Sequence, residues 1–277
     1  MKPPPFEYVR ARSLDQALAA LAEGGEDAKP IAGGQSLVPA LNMRLVRPSV
    51  LVDVNDAGLG DVSANGSVRI GATVRQAALS NDPRIHALVR HALPFVGHFV
   101  TRNRGTVGGS IAHADGAAEL PLCLVVANGT VVAASLSGLR EIAAADFFVT
   151  HFFTTLGLGE LVVETVWPRA ADGEGSAFEE FALRHGDFAQ SMAAVVLRRE
   201  ADRIVEARVG VGAVTDRPTR LAEVEALLVG SSGVEAAMDA GALAATLVDP
   251  PSTTHASAPY LRALTGTLVA RAVERAR

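Results

Sequence analysis

Two glycine pairs carry the residues best suited to chemistry in this chain. The run Ile31-Ala32-Gly33-Gly34-Gln35-Ser36-Leu37 falls between a predicted strand and a predicted helix. Residues without side chains let backbone N–H groups approach an anion closely, and a helix N-terminus adds partial positive charge. Gln35 and Ser36 can add side-chain hydrogen bonds. No Lys follows the glycines and the G-x-G-x-x-G spacing is absent, so the run is neither a Walker loop nor a dinucleotide fingerprint. Its other reading is a tight strand-to-helix turn. Thr106-Val107-Gly108-Gly109-Ser110 repeats the pattern with flanking hydroxyls and, taken alone, reads equally well as a plain loop. Together the two segments suit a diphosphate, with two amide nests clasping its phosphoryl groups from opposite sides. On that reading, Val in place of Gly34 or Gly108 crowds the diphosphate.

Downstream, His113, Asp115 and Glu119 lie within Ile111–Pro121. Their spacing does not make a metal site, since no second His lies nearby in sequence. A carboxylate here can accept hydrogen bonds from a ligand's ribose or ring hydroxyls; alternatively, Asp115 caps a helix and Glu119 is solvated. His86, His91 and His98 fall on one predicted helix at offsets that do not bring all three together, and read as structural. Cys123, Trp167 and Phe152-Phe153 read as packing residues.

Periodicity and punctuation predict the elements that position these residues. Phe6–Arg10 reads as a strand. Ser13 caps a helix whose face is Leu14, Ala17, Leu18 and Leu21, and Gly24-Gly25 stops it. Lys29–Ala32 is extended, Leu37 to about Val46 is a helix ended by Pro48, and Val50–Val54 is an apolar strand. This β-α-β-α-β order predicts a small parallel sheet. Asn65-Gly66 marks a hairpin. Helices are expected from Thr73 to about Leu79 and over Pro83–Phe99, kinked at Pro94. Thr101–Ser110 then reads as a polar loop and Ala117 to about Val126 as a helix. Strands flank Asn128-Gly129, and Glu160–Trp167 is another. Pro168–Ser176 reads as a linker. Beyond it come strands at Ala177–Leu183, Ala193–Arg199 and Val205–Val214, then helices near Leu221–Val229, Val234–Leu247 and His255–Arg277.

Composition narrows the function classes. A chain of 277 residues with 49% apolar residues holds one large or two ordinary folded domains. Its net charge of −5 and scattered basic residues argue against nucleic acid. No apolar run reaches the ~18 residues of a membrane span, and Met1-Lys-Pro-Pro-Pro lacks an apolar signal core, so a cytoplasmic location is expected. The single cysteine cannot form an internal disulfide, a four-cysteine zinc site or an iron–sulfur cluster.

Three segments in order carry a family resemblance: Ala32-Gly-Gly-Gln-Ser-Leu37, Arg102-Asn-Arg-Gly-Thr-Val-Gly-Gly-Ser110 and Ala112-His-Ala-Asp-Gly-Ala-Ala-Glu119. With the later Arg184-His-Gly-Asp-Phe188, the chain resembles the FAD-binding medium subunit of molybdenum hydroxylases over nearly its whole length. The resemblance implies an α+β fold with an α/β-like N-terminal lobe. It implies a two-lobed FAD-binding domain of the vanillyl-alcohol-oxidase/PCMH type over 1–175, with lobes of about 1–55 and 56–175. A CO dehydrogenase flavoprotein C-terminal domain of three antiparallel strands plus helices follows over 176–277. It implies that Ile31–Leu37 and Thr106–Ser110 hold the FAD diphosphate, that Asp115 and Glu119 are acidic contacts, and that Val162 and Arg184 lie near the flavin ring or ribityl chain. It further implies partners: a small subunit with two 2Fe–2S clusters and a large subunit with a molybdenum cofactor, as a dimer of heterotrimers. Gln35 stands where the carbon monoxide enzymes have His, which points away from carbon monoxide. The alternatives are a stand-alone FAD oxidoreductase and a flavin-free scaffold subunit.

Overall fold

The computed structural model describes residues 2–276. It begins with strands β1 (Glu7–Arg10), β2 (Ala28–Ile31) and β3 (Val50–Asp53), which pair in parallel in the order β1-β3-β2. Between β1 and β2 lies α1 (Leu14–Gly24). The Ser13 hydroxyl accepts from the Gln16 N–H at 3.2 Å, and Ala17, Leu18 and Leu21 form the buried face. Between β2 and β3 lies α2 (Leu37–Asn42), shorter than its pattern predicts. Arg44 takes a left-handed φ of 58°, which turns the chain before Pro48 is reached.

A second sheet has the antiparallel order β4-β5-β10-β6-β7. Its strands are β4 (Val62–Ser63), β5 (Val68–Gly71), β6 (Thr130–Ser135), β7 (Gly138–Ala143) and β10 (Leu161–Trp167). β4 and β5 form the expected hairpin, with Gly66 at φ 84° in its turn. A short ribbon, β8 (Phe148–Thr150) and β9 (Phe153–Thr154), lies between β7 and β10.

The helices between β5 and β6, and one after β7, differ most from expectation. They are α3 (Gln76–Leu79), α4 (Ala87–Ala92), α5 (Phe99–Arg104), α6 (Val107–His113) and α7 (Glu119–Val126), with α8 (Ala144–Phe147) after β7. The single helix expected over 83–99 is broken: α4 stops at Ala92, two residues before Pro94, and Gly97 has φ 47°. The expected loop over 101–110 is two short helices meeting at Gly105 and Thr106. His86 and His98 precede α4 and α5 as their N-caps, so only His91 is helical.

The last part is an antiparallel sheet, β11-β12-β13-β14, backed by helices. Its strands are β11 (Glu174–Ala182), β12 (Ala189–Glu200), β13 (Arg203–Gly212) and β14 (Thr219–Arg220). The two-residue β14 had no sequence signal. The helices are α9 (Ala222–Leu228), α10 (Gly233–Leu247) and α11 (Ala258–Arg275). Arg277, to which the last helix was expected to run, lies outside the described residues, as does Met1. β12 is buried on both faces. Met192, Ala194 and Val196 enter one core with α4 and α7, while Ala193, Val195 and Leu197 enter another with α10 and α11. The period-two alternation of a strand makes one apolar run serve two cores. Trp167 and Cys123 are buried as expected, but Phe152 and Phe153 are exposed, and Phe152 lies 4.9 Å from the His113 ring. Among the described residues no helix is long and apolar enough to cross a membrane.

Candidate functional site

The first glycine segment leaves β2 and turns into α2. Gly34 sits at φ 70°, and the Gln35 amide donates to the Gly33 carbonyl at 3.1 Å. The N–H groups of residues 33–37 donate to no protein acceptor among the described residues. They form a run of free donors at the start of a short helix, the arrangement that receives an anion.

The second segment differs. Thr106 caps α6, its hydroxyl accepting the Gly109 N–H at 3.1 Å. The Val107 N–H donates to the Val74 carbonyl, Gly108 to Ala72 and Ser110 to Thr106. The expected second amide nest is therefore engaged within the protein, because α6 starts directly on the backbone that follows β5. Gly109 and the half-buried Ser110 remain as its accessible face.

The fold brings the first segment against Arg104 and Gly105, the two residues just before the second. A Cβ on Gly33 would run into the Arg104 carbonyl oxygen and lie 2.8 Å from the Gly105 Cα. Three hydrogen bonds hold this junction. Asn55 Nδ2 donates to the Ala32 carbonyl at 2.9 Å, Arg75 Nη2 to Asn55 Oδ1 at 2.7 Å, and Arg75 Nη1 to the Arg104 carbonyl at 2.5 Å. An open cleft of about 410 Å³ lies over the junction, lined by Gly33, Gly34, Gln35, Val38, Pro39 and Arg104.

A second cleft, about 180 Å³, lies at the other end of α5. Phe95, Glu180, Phe181, Arg184, His185 and Gly186 line it. Gly186, at φ 87°, lets the loop after β11 close on the α5 cap: a Cβ there would lie 2.6 Å from His98 Cε1. The His98 and His185 rings meet edge-on at 6.3 Å. At a rise of ~1.5 Å per residue, the six residues of α5 place the two clefts on the order of 10 Å apart.

The remaining sequence candidates are dispersed around this axis. Asp115 is half-buried and accepts the Ala117 N–H at 2.9 Å, which fixes the turn before α7. Glu119 is 9% exposed rather than solvated, and burial pushes its carboxyl up to about 7. Val162 is buried in β10 beneath α6, within the core. Arg184 is exposed on the rim of the second cleft.

Residues 4–170 match the family model described as the FAD binding domain in molybdopterin dehydrogenase. The chain belongs to this family. Residues 176–276 of this FAD subunit match the CO dehydrogenase flavoprotein C-terminal domain. The 6-hydroxypseudooxynicotine dehydrogenase complex subunit alpha of Paenarthrobacter nicotinovorans is 42% identical, over 100% of this chain and 96% of its own length. CO dehydrogenase from Oligotropha carboxidovorans superposes with a TM-score of 0.96 at 33% identity, over 100% of this chain and 99% of the other. Quinoline 2-oxidoreductase from Pseudomonas putida 86 superposes at 0.95 with 37% identity, over 100% and 98%. The fold of the subunit is thus α+β, as the resemblance implied.

Sequence reasoning missed the residues that join the site together. Asn55 and Arg75 act across 23 and 29 residues of chain, and Arg104 and His98 take their places through contacts with Gly33 and Gly186. The polar, glycine-rich run around Arg102–Arg104 was the one local signal, and it read as loop.

Proposed function

We propose that the subunit transfers electrons within a heterotrimeric molybdenum hydroxylase. It receives them from 2Fe–2S clusters of a small partner subunit and passes them to a terminal acceptor, while a large partner carries the molybdenum cofactor. The complex is a dimer of such heterotrimers. FAD, when bound, supplies the redox chemistry, and the protein supplies geometry and electrostatics. The single observation carrying this reading is the junction of the two glycine segments beneath a row of free amides.

That junction fits a diphosphate. The N–H groups of residues 33–37 bind it, beside Arg104 in the lining of the same cleft. Ile31 to Leu37 form the cradle, and Thr106 to Ser110 the opposing wall. From there α5 leads to the second cleft, where Arg184 and the region of Glu119 receive the flavin end. Asp115 steadies the turn that presents Glu119, and Val162 supports α6 from below. The only cysteine, Cys123, is fully buried, so the clusters that feed this flavin belong to a partner.

Relatives whose names specify a nicotine derivative, glyceraldehyde, carbon monoxide and quinoline align with this chain end to end. One scaffold serving such different substrates supports a subunit that does not choose the substrate.

The full chain, purified and denatured, is expected to release stoichiometric FAD, and the native protein to co-purify with a cysteine-rich small chain and a large chain. Failure to take up FAD on reconstitution would leave the scaffold reading standing. Turnover of an organic substrate by the isolated chain would favour a stand-alone oxidoreductase.

Arg75 tests the junction itself. Arg75→Met removes both hydrogen bonds that tie Asn55 to Arg104, and is expected to weaken FAD binding ~30-fold, as loss of two hydrogen bonds at about 1 kcal/mol each implies. Arg75→Lys, which reaches one acceptor, should fall between. Fluorescence titration reads the affinity, and an unchanged Kd in Arg75→Met would remove Arg75 from the site.

A further inference from the structure

Glu180 has no part in the reading above, although it lines the second cleft. On β11 the side chains alternate. Phe178 joins the core with α4 and α7, and Ala177 and Glu179 face the other way, where Glu179 pairs with Arg275. Glu180 shares the Phe178 side, two residues on. Its Oε2 is buried and has no hydrogen-bond partner, at the wall of a cavity large enough to take part of a ligand. Glu119, in the first turn of α7, faces the same interior.

The charged and titratable groups around this pair do not neutralise it. Arg102 of α5 favours ionisation of Glu119, but its guanidinium donates to the Val96 and Gly97 carbonyls at 2.8 and 2.9 Å. Asp115, before α7, repels Glu119. Cys123, one turn along α7, is itself pushed up by burial and by both carboxylates. Arg184 and His185 stand on the cleft rim, with His98 beside His185. On the other elements packed against β11, His91 of α4 meets the Ser176 backbone and Arg275 of α11 is taken by Glu179. Burial pushes Glu119 up to about 7 and Glu180 up to about 8, the latter raised further by the charge of Glu119. The charge of an ionised Glu119 therefore holds the proton on Glu180 to higher pH.

We propose that the unpaired carboxyl of Glu180, at the wall of the second cleft, presents a neutral acid that donates a hydrogen bond to FAD. This rests on the assignment of FAD to the chain. A neutral carboxylic acid donates to a carbonyl or ring nitrogen, whereas a carboxylate repels those acceptors. No bond is made or broken beyond the exchange of this proton with solvent.

The test is FAD affinity of the full chain, by flavin fluorescence, across about pH 6 to 9. Wild-type affinity is expected to be level up to about pH 7 and to fall ~10-fold between about pH 7.5 and 9, as the donor is lost with its proton. Glu180→Gln keeps a donor at every pH and should give a level profile. Glu119→Gln removes the neighbouring charge and should move the fall to lower pH. An infrared carbonyl band of a protonated carboxyl, present at pH 7 in the wild type and lost at alkaline pH, checks the pair without any variant. FAD bound with a level wild-type profile, or a fall that persists in Glu180→Gln, overturns this inference alone. Absence of saturable FAD binding at every pH overturns the cofactor assignment and the inference with it.

Discussion

Gly33→Val is expected to abolish FAD retention while leaving most of the chain folded. The new Cβ collides with the Arg104 carbonyl and crowds the Gly105 Cα. Relief requires the two segments to separate, which stretches the Asn55 and Arg75 hydrogen bonds across the junction. Overpacking of this kind costs ~1–3 kcal/mol, equivalent to roughly 5- to 150-fold in affinity if the cofactor site bears it. The second glycine pair does not behave alike. A Cβ on Gly108 would lie 2.6 Å from the Ala72 Cα and 2.9 Å from its carbonyl oxygen, inside the contact between α6 and the residues after β5. Gly108→Val therefore does not crowd a diphosphate, as the sequence pattern suggested, but pries a helix from a sheet, and should lower the unfolding midpoint. FAD content after gel filtration, set beside urea unfolding, separates the two cases. Full FAD retention by Gly33→Val would show that the junction is not the cofactor cradle.

Glu174→Ala is expected to destabilise the fold by ~3–5 kcal/mol, because it leaves the buried Arg208 guanidinium with only a 3.6 Å contact to the half-exposed Glu206 and a 3.5 Å one to the Ala127 carbonyl. Glu174 Oε2 accepts from Arg208 Nη2 at 2.7 Å, and its Oε1 from His86 Nε2 at 3.0 Å. The three side chains are 6%, 9% and 3% exposed, in that order. His86 also receives the Leu88 N–H on Nδ1 at 3.2 Å, so the ring proton sits on Nε2 and points at the carboxylate. The triad joins the cap of α4 to β11 and β13, tying the helical region to the last sheet. Burial alone would raise the Glu174 pKa, but the His86 hydrogen bond and the Arg208 charge outweigh it and hold the carboxyl below its ordinary value. Its stabilisation is thus fully present above the ordinary carboxylate range and is lost as pH falls through the lowered value. Urea unfolding should show a lower midpoint at neutral pH, with the gap to wild type narrowing in acid. A loss under about 1 kcal/mol would mean that water reaches Arg208.

Several parts of the fold were legible because their signals are local. Ser13, the Leu18 and Leu21 face and Gly25 mark α1 without reference to anything distant, and Asn65-Gly66 marks its hairpin. The apolar run of β12 announced a buried strand. The helices around the site were less legible. α5 and α6 are six and seven residues long, too short for periodicity to register, and their ends are set by Gly97, Gly105 and the backbone they abut. Glu119 reads as solvated in sequence because a carboxylate ordinarily is. It is buried because α7 is apolar all round and enclosed on every side.

By itself the sequence determined the family, most strands and the first and last helices, and the places of the two glycine segments. These are matters of residue type and near-neighbour spacing. Only the tertiary structure decided which glycine pair offers free amides and which is engaged by Val74 and Ala72, and that Asn55 and Arg75 fasten the two together. It alone decided that Glu180 lines a cleft with an unpaired carboxyl oxygen and feels the charge of the buried Glu119. A free N–H or an unpaired oxygen is defined by what packs against it, and those neighbours lie tens of residues away along the chain.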